Sequence, residues 1–383
     1  VFLALRDLRF ATGRFALMGS VVALISLLLV MLSGLTAGLG GQNTAAIDRL
    51  GEQGVQRLVF GGAAGQEPTA SFTQSEFTVA QRDAWAATDG VASVEPLGVS
   101  QGRAIGLEHP VDTDPQGRAD VSGEPTTGVA TTAFIGLTPG GSDAPAGVEL
   151  GQIVLSQDVA DSLHAQAGDA VAVSGFVYTV ADVVPTEYYS HSPVTWLALE
   201  DWNAISHTAD DAVLGTAGLV RFDAGADVDA VAAAGDDAAG TVAETVKGSY
   251  AALPSYRSEN GSLMTMQGFL YGISALVVIA FLSIWTVQRT RDIAVLKALG
   301  GSNGWVLKDS LAQAAFVLVG GVAVGTGLAA VIGAFAGRAV PFELSWATTA
   351  VPAAGVLVLG MLAAVIAVYR VTRIDPLVAL GGN

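Results

Sequence analysis

Four long apolar stretches, residues 15–39, 263–287, 310–336 and 347–369, constrain this chain more than any other feature. Each supplies the roughly 20 apolar residues a helix needs to cross the hydrocarbon core of a bilayer. Between the first and second lies a long polar, acidic block, residues 40–262. The expected fold is an α-helical membrane protein with four transmembrane helices. One large extracytoplasmic α+β domain is inserted between the first and second.

A hydrophobic fraction of 51% with 14% charged residues agrees with a membrane class. The net charge of −17 hides a segregation: residues 40–262 hold 30 of the 35 acids and 8 of the 18 bases, which leaves the remainder positive. Arg6, Arg9 and Arg14 precede the first span. Arg289, Arg291, Lys297 and Lys308 lie in the 288–309 loop, and Arg370 and Arg373 follow the fourth span. The 337–346 loop carries only Arg338. By the positive-inside rule, segment 1–14, the 288–309 loop and the 370–383 tail are cytoplasmic and the 40–262 block is outside, in a multi-pass plasma-membrane protein. The acidity of that block argues against nucleic acid as a partner. The apolar core of the first span exceeds that of a secretory signal, and no small-x-small cleavage site follows, so a retained anchor is expected. Without cysteine, the outer domain has no disulfide and no thiolate metal site.

Residues 1–14 place Phe2, Leu3, Leu5 and Leu8 around a helix bearing Arg6 and Arg9, which suits the inner membrane surface. Gly34 and Gly38, and Gly321 and Gly325, form small-xxx-small pairs that permit close helix approach, either within one subunit or between two. In the outer block, residues 156–167 read as a helix with Ser156 as N-cap and Val159, Ala160 and Leu163 on one face. Residues 54–60, 170–174 and 176–184 read as strands, the last two joined at Ser174-Gly175. Residues 61–71 and 110–127 read as loops, and the Ala/Asp-rich 223–245 stretch as a helical or mobile surface segment.

No phosphate-binding G-x-x-x-x-G-K-[ST] loop, H-E-x-x-H zinc motif or G-x-S-x-G nucleophile elbow occurs. The expectation is a non-enzymatic subunit without an intrinsic cofactor. His109, His164, His191 and His207 are scattered and read as surface residues. The informative segment is the inner loop, RTRDIAVLKALGGS, residues 289–302. Ile293, Leu296 and Leu299 recur at helical spacing, Asp292 precedes Lys297 in the order the helix dipole favours, and Gly300-Gly301 stops the helix.

This segment resembles the coupling helix of the FtsX-like permease superfamily, the membrane subunits of MacB-type ABC transporters. The tail RVTRIDPLVAL, residues 370–380, is similar to that superfamily's C-terminus, and ALRDLRF, residues 4–10, to its interfacial helix. Residues 149–184 look like part of its outer domain. Asp292 stands where the family commonly has Glu and keeps the charge. The resemblance implies a homodimer that recruits two copies of a separate ABC ATPase subunit, which binds ATP and Mg²⁺. Arg289, Arg291, Asp292, Ile293, Leu296, Lys297, Leu299 and Gly300 would couple ATP-driven closure to the spans by mechanotransmission.

Within the superfamily, the layout is most similar to the haem-exporting Hrt-type permeases of Gram-positive bacteria. Haem iron accepts Met, His or Tyr as axial ligand. Met31 in the first span, and Met264 and Met266 beside Phe269 and Tyr271 in the second, are the candidate pocket, with Glu259 above them to meet a propionate or a headgroup. The competing reading of these methionines is helix packing. Haem is thus the expected substrate, reached from membrane lipid. The alternatives are export of a lipoprotein, peptide or drug, a signalling protein that controls an extracytoplasmic partner without transport, and a plain membrane scaffold.

Overall fold

A computed structural model describes residues 12–63, 66–206, 212–288 and 303–372 of the chain. It separates into a unit of residues 40–259 and a helical unit built from residues up to 39 and from 260 onward. In chain order the elements are α1 (Thr12–Glu52), β1 (Arg57–Phe60), β2 (Phe77–Thr78), α2 (Val79–Ala86), β3 (Val91–Leu107), β4 (Thr126–Leu137), β5 (Gln152–Ser156) and α3 (Gln157–Leu163). There follow β6 (Ala170–Val173), β7 (Phe176–Val184), β8 (Tyr188–Tyr189), β9 (Ser192–Ala198), α4 (Leu199–Ile205), β10 (Val213–Gly215) and β11 (Ala217–Phe222). The last elements are α5 (Val228–Ala239), β12 (Val242–Thr245), α6 (Pro254–Gln288), α7 (Asn303–Ala336) and α8 (Trp346–Thr372). Among the described residues, α1, α6, α7 and α8 are long and apolar enough to cross a membrane.

The 40–259 unit is built in two parts that share β3. In the first, the strand order β12-β1-β11-β3 is antiparallel throughout, with α2 and α5 as the crossovers of two split βαβ halves. Thr78 opens α2 through a reciprocal capping box with Gln81. Asp227 caps α5, and Gly240 ends it in the left-handed region. Val59, Phe77, Trp85, Val220, Phe222 and Ala232 fill the space between these helices and the sheet. In the second part, strands β3-β4-β9-β5-β7-β6 return to β3 and close on themselves, because the distal half of the 17-residue β3 pairs with both β4 and β6. Trp202 on α4 lies over Gly98 and Gly136, register partners on β3 and β4, where a side chain would collide with the indole.

The local expectations meet this fold closely but not everywhere. Strands β6 and β7 lie where expected, and Ser174 and Gly175 make the turn with φ of 50° and 84°. Helix α3 starts after Ser156, but the Ser156 hydroxyl donates to the Val194 carbonyl rather than capping. The free Asp158 N–H donates instead to Thr186 Oγ1 at 3.0 Å. The strand expected from residue 54 begins at Arg57, since Gly54, at φ 93°, closes α1. The 223–245 stretch is an ordered helix and strand, α5 and β12.

In the helical unit, α1 contributes Phe15, Met18, Val22 and Leu29 to a common core. From α6 come Val278, Leu282 and Trp285, from α7 Val317, Leu318 and Val322, and from α8 Val356, Ala363 and Ala367. The glycine pairs are used inside the chain. Gly321 lies against the Gly19 carbonyl and Val22, and Gly325 against the Ala23 carbonyl and Ser26, so α1 and α7 meet backbone to backbone. Gly34 and Gly38 receive the segment between α7 and α8: the Phe342 ring covers Gly34, Pro341 covers Gly38, and the Glu343 N–H donates to the Gly34 carbonyl at 3.0 Å.

Candidate functional site

The membrane-level residues fall into two environments. Met264, Met266 and Phe269 lie on the outward surface of α6, at 58%, 55% and 69% exposure. Met31 on α1 is half-buried. Tyr271 is also half-buried and turns its ring toward Gly355 of α8, joining the helical core. The Gln267 amide donates to Thr36 Oγ1 at 3.1 Å, which fixes the level of α6 against α1. Those helices run in opposite directions at about 1.5 Å per residue. Met31 is therefore roughly 7 Å deeper than Thr36, near the level of Tyr271, whereas Met264 and Met266 are at or above it. The three methionines thus span a band of depth rather than one plane. The single chain does not gather them into an enclosed pocket among the described residues.

The expected coupling residues Arg289, Arg291, Asp292, Ile293, Leu296, Lys297, Leu299 and Gly300, the segment before Thr12, and the 373–383 tail lie outside the described residues. Just beyond the loop, α7 carries Asp309 and Gln313, whose amide donates to Asp309 Oδ2 at 2.9 Å. Asp309 Oδ1 is buried without a hydrogen-bond partner among the described residues. An ionisable group at this position in a spanning helix is costly unless it has a task.

The arrangement that sequence reasoning missed lies within the 40–259 unit. The turn between β8 and β9 consists of Ser190 and His191, both left-handed with φ of 49° and 63°. A two-residue hairpin turn of this kind favours Asn-Gly, since other side chains are strained there. The turn is nonetheless tied down at several points. Ser190 N–H donates to the Asn43 carbonyl at 3.0 Å and His191 N–H to the Gln42 carbonyl at 2.9 Å, both on α1. His191 Nε2 lies 2.8 Å from Glu259 Oε2, near the start of α6. Asn43, only 1% exposed, donates to Glu259 at 3.2 Å and accepts from Ser255 Oγ at 2.7 Å. The Ser190 and Ser255 hydroxyls are also 2.7 Å apart. Glu259 is thus engaged by a histidine and an asparagine of its own unit. Nothing in the sequence links residue 191 to residue 259.

A second polar group lies nearby on α1. Arg49 contacts Glu187 at 3.4 Å and stacks over Trp196 at 5.5 Å. Burial pushes the Glu187 carboxyl above its usual range, Arg49 opposes this, and Glu52 adds to it. A cavity of about 520 Å³ opens between these side chains, Asp48 and Gln53.

Residues 264–376, from within α6 to just past α8, match the family described as FtsX-like permease, C-terminal. The chain carries an FtsX-like permease domain. Among curated relatives, HrtB of Staphylococcus haemolyticus, named for a hemin transport system, is 29% identical over 130 residues, 34% of this chain and 37% of that protein. The ABC transporter permease YknZ of Bacillus subtilis is 29% identical over 126 residues, 31% of each chain. The matches thus span about a third of the length of these relatives. Among solved structures, the periplasmic region of MacB from Actinobacillus actinomycetemcomitans superposes with a TM-score of 0.34 and 10% identity, covering 50% of this chain and 89% of that one. The permease domain includes Met264, Met266, Phe269, Tyr271 and every candidate coupling residue, whereas Met31 and Glu259 precede it.

Proposed function

We propose that this chain is the permease subunit of a MacB-type ABC exporter that removes haem from the membrane, driven by a separate ATPase. The observation that carries the reading is the FtsX-like permease domain at residues 264–376, joined to an α+β unit placed between the first and second apolar helices. The likeness to HrtB supports haem as the substrate. In this reading the chain is a homodimer in the plasma membrane with both termini cytoplasmic, and two ATPase copies bind ATP and Mg²⁺. The 289–300 segment receives the ATPase stroke through Ile293, Leu296 and Leu299, with Arg289, Arg291, Asp292 and Lys297 as polar docking contacts and Gly300 as the stop.

Haem would meet the protein at the α1–α6 face. The exposed Met264, Met266 and Phe269 offer sulfur and an aromatic ring to the porphyrin, and Met31 and Tyr271 stand deeper as iron ligands. A second copy would wall this face, since one chain leaves it open. Glu259 serves a propionate only if it exchanges its His191 partner. The test is haem titration of the purified dimer in lipid nanodiscs. Replacing Met31, Met264 and Met266 together with Leu preserves volume at little cost in stability. The expected result is a shifted Soret band and at least tenfold weaker affinity. An unchanged spectrum and affinity would remove the methionines from the site.

A further inference from the structure

The strain at the β8–β9 turn needs a reason. A hairpin needing two left-handed residues is cheapest with Asn-Gly, yet this one uses Ser190 and His191, whose side chains the backbone disfavours there. Both side chains are in use. Ser190 reaches Ser255, and His191 reaches Glu259, both on the first turns of α6. The two backbone N–H groups of the same turn are given to α1, at Asn43 and Gln42. Asn43 closes the circuit, since its side chain joins Ser255 and Glu259. On the far side, Gln101 of β3 donates to Ser192 Oγ at 3.0 Å and holds the hairpin to the sheet.

We propose that Ser190 and His191 form a clamp through which the sheet of the 40–259 unit grips the base of α1 and the base of α6 together. They act as positioning residues that keep those two helices in register with the sheet. The idea deepens the transport reading and rests on it in one respect: movement of the spans has to reach the sheet through α1 and α6. The clamp supplies the shared attachment. A turn selected only for folding would have relieved its backbone strain. This one keeps the strain and gains four hydrogen bonds to two different helices.

The absence of cysteine from the chain allows a direct test. Ser190→Cys with Ser255→Cys places two thiols where two hydroxyls now touch. With His191 intact, mild oxidation of membranes should cross-link the pair quickly. In the His191→Gly background, where the backbone strain is relieved but the imidazole is gone, cross-linking at matched oxidant should slow at least fivefold. Thermal stability should stay equal or rise. Equal cross-linking rates in the two backgrounds would overturn the clamp, whatever the protein transports.

The second arm uses the partner ATPase. His191→Gly should reduce substrate-stimulated ATP hydrolysis several-fold. In the triple variant His191→Gly, Ser190→Cys, Ser255→Cys, oxidation should restore it and reduction should abolish it again, since a covalent tie replaces the lost one. Wild-type stimulation in His191→Gly, or no rescue on oxidation, would overturn the clamp's role in coupling. Absence of stimulation in the wild-type protein would instead count against the transport reading, leaving the cross-linking arm to decide the clamp.

Discussion

Arg221 gives the sharpest prediction about what fastens the end of α1 to the sheet. It lies on β11 and pairs with Asp143, whose side chain is 5% exposed, while Arg221 itself is 18% exposed. The same guanidinium nitrogen donates to the Gln53 carbonyl, at the turn that ends α1, at 3.3 Å. Arg221→Ala would leave a carboxylate buried without its cation and the Gln53 carbonyl without this donor. Removing one member of a buried ion pair costs about 3–5 kcal/mol, and the partial exposure of Arg221 places the expectation at the lower end, about 3 kcal/mol. For a domain of 150–250 residues each kcal/mol moves the midpoint by about 2–4 °C, so the melting temperature should fall by roughly 6–12 °C. Replacing both residues with Leu removes the stranded charge, and that double variant should lie within about 1 kcal/mol of wild type. Thermal unfolding of the purified full-length chain, followed by tryptophan fluorescence, measures both. An Arg221→Ala variant that melts within about 2 °C of wild type, or a double variant less stable than the single one, would refute the reasoning.

The α1–α7 crossing should reject bulk at one glycine and accept it at another. Gly325→Val would drive a side chain into the Ala23 carbonyl and Ser26, at about 1–3 kcal/mol of overpacking, while Gly327→Val meets open space. A lower melting point in detergent for the first variant only is expected; equal melting points would contradict the packing. For the proposed coupling segment 289–300, Leu296→Asp or Leu299→Asp should leave membrane insertion intact and abolish co-purification with the proposed ATPase partner, because burying an unpaired carboxylate in the proposed contact costs several kcal/mol. Normal pull-down and normal stimulated hydrolysis in both would refute the assignment. Orientation is open to cysteine labelling: a cysteine at the exposed Ser122 should react with an impermeant maleimide on intact cells, and one at Ser302 only after lysis. The reverse pattern would invert the topology.

The four spans were legible because about 20 consecutive apolar residues leave few alternatives to a bilayer helix. The β6–β7 hairpin was legible for a similar reason, with Val, Phe and Tyr alternating around a turn at Ser174-Gly175. The rest depends on contacts far apart in sequence. The 40–259 unit's two-part build rests on β3 pairing with three strands, β4, β6 and β11, and no local pattern announces a shared strand. The 223–245 stretch was ambiguous because its apolar residues are almost all Ala and Val, too small to give a strong periodic face. The glycine pairs signalled close approach, but their occupants, Phe342 and the α1 backbone, are distant in the chain. His191 was unreadable as a partner of Glu259 because 68 residues separate them. The methionines were legible as a group of residue types, whereas their depths followed only from the Thr36–Gln267 contact between α1 and α6.

Haem export is tested most directly by ATP hydrolysis of the purified chain with its proposed ATPase partner in proteoliposomes, measured with and without haem in the lipid. A several-fold, saturable rise in hydrolysis with haem is expected, accompanied by ATP-dependent loss of haem from the membrane, and neither effect with Leu296→Asp. Hydrolysis indifferent to haem, with haem retained in the lipid while the complex turns over ATP, would contradict it.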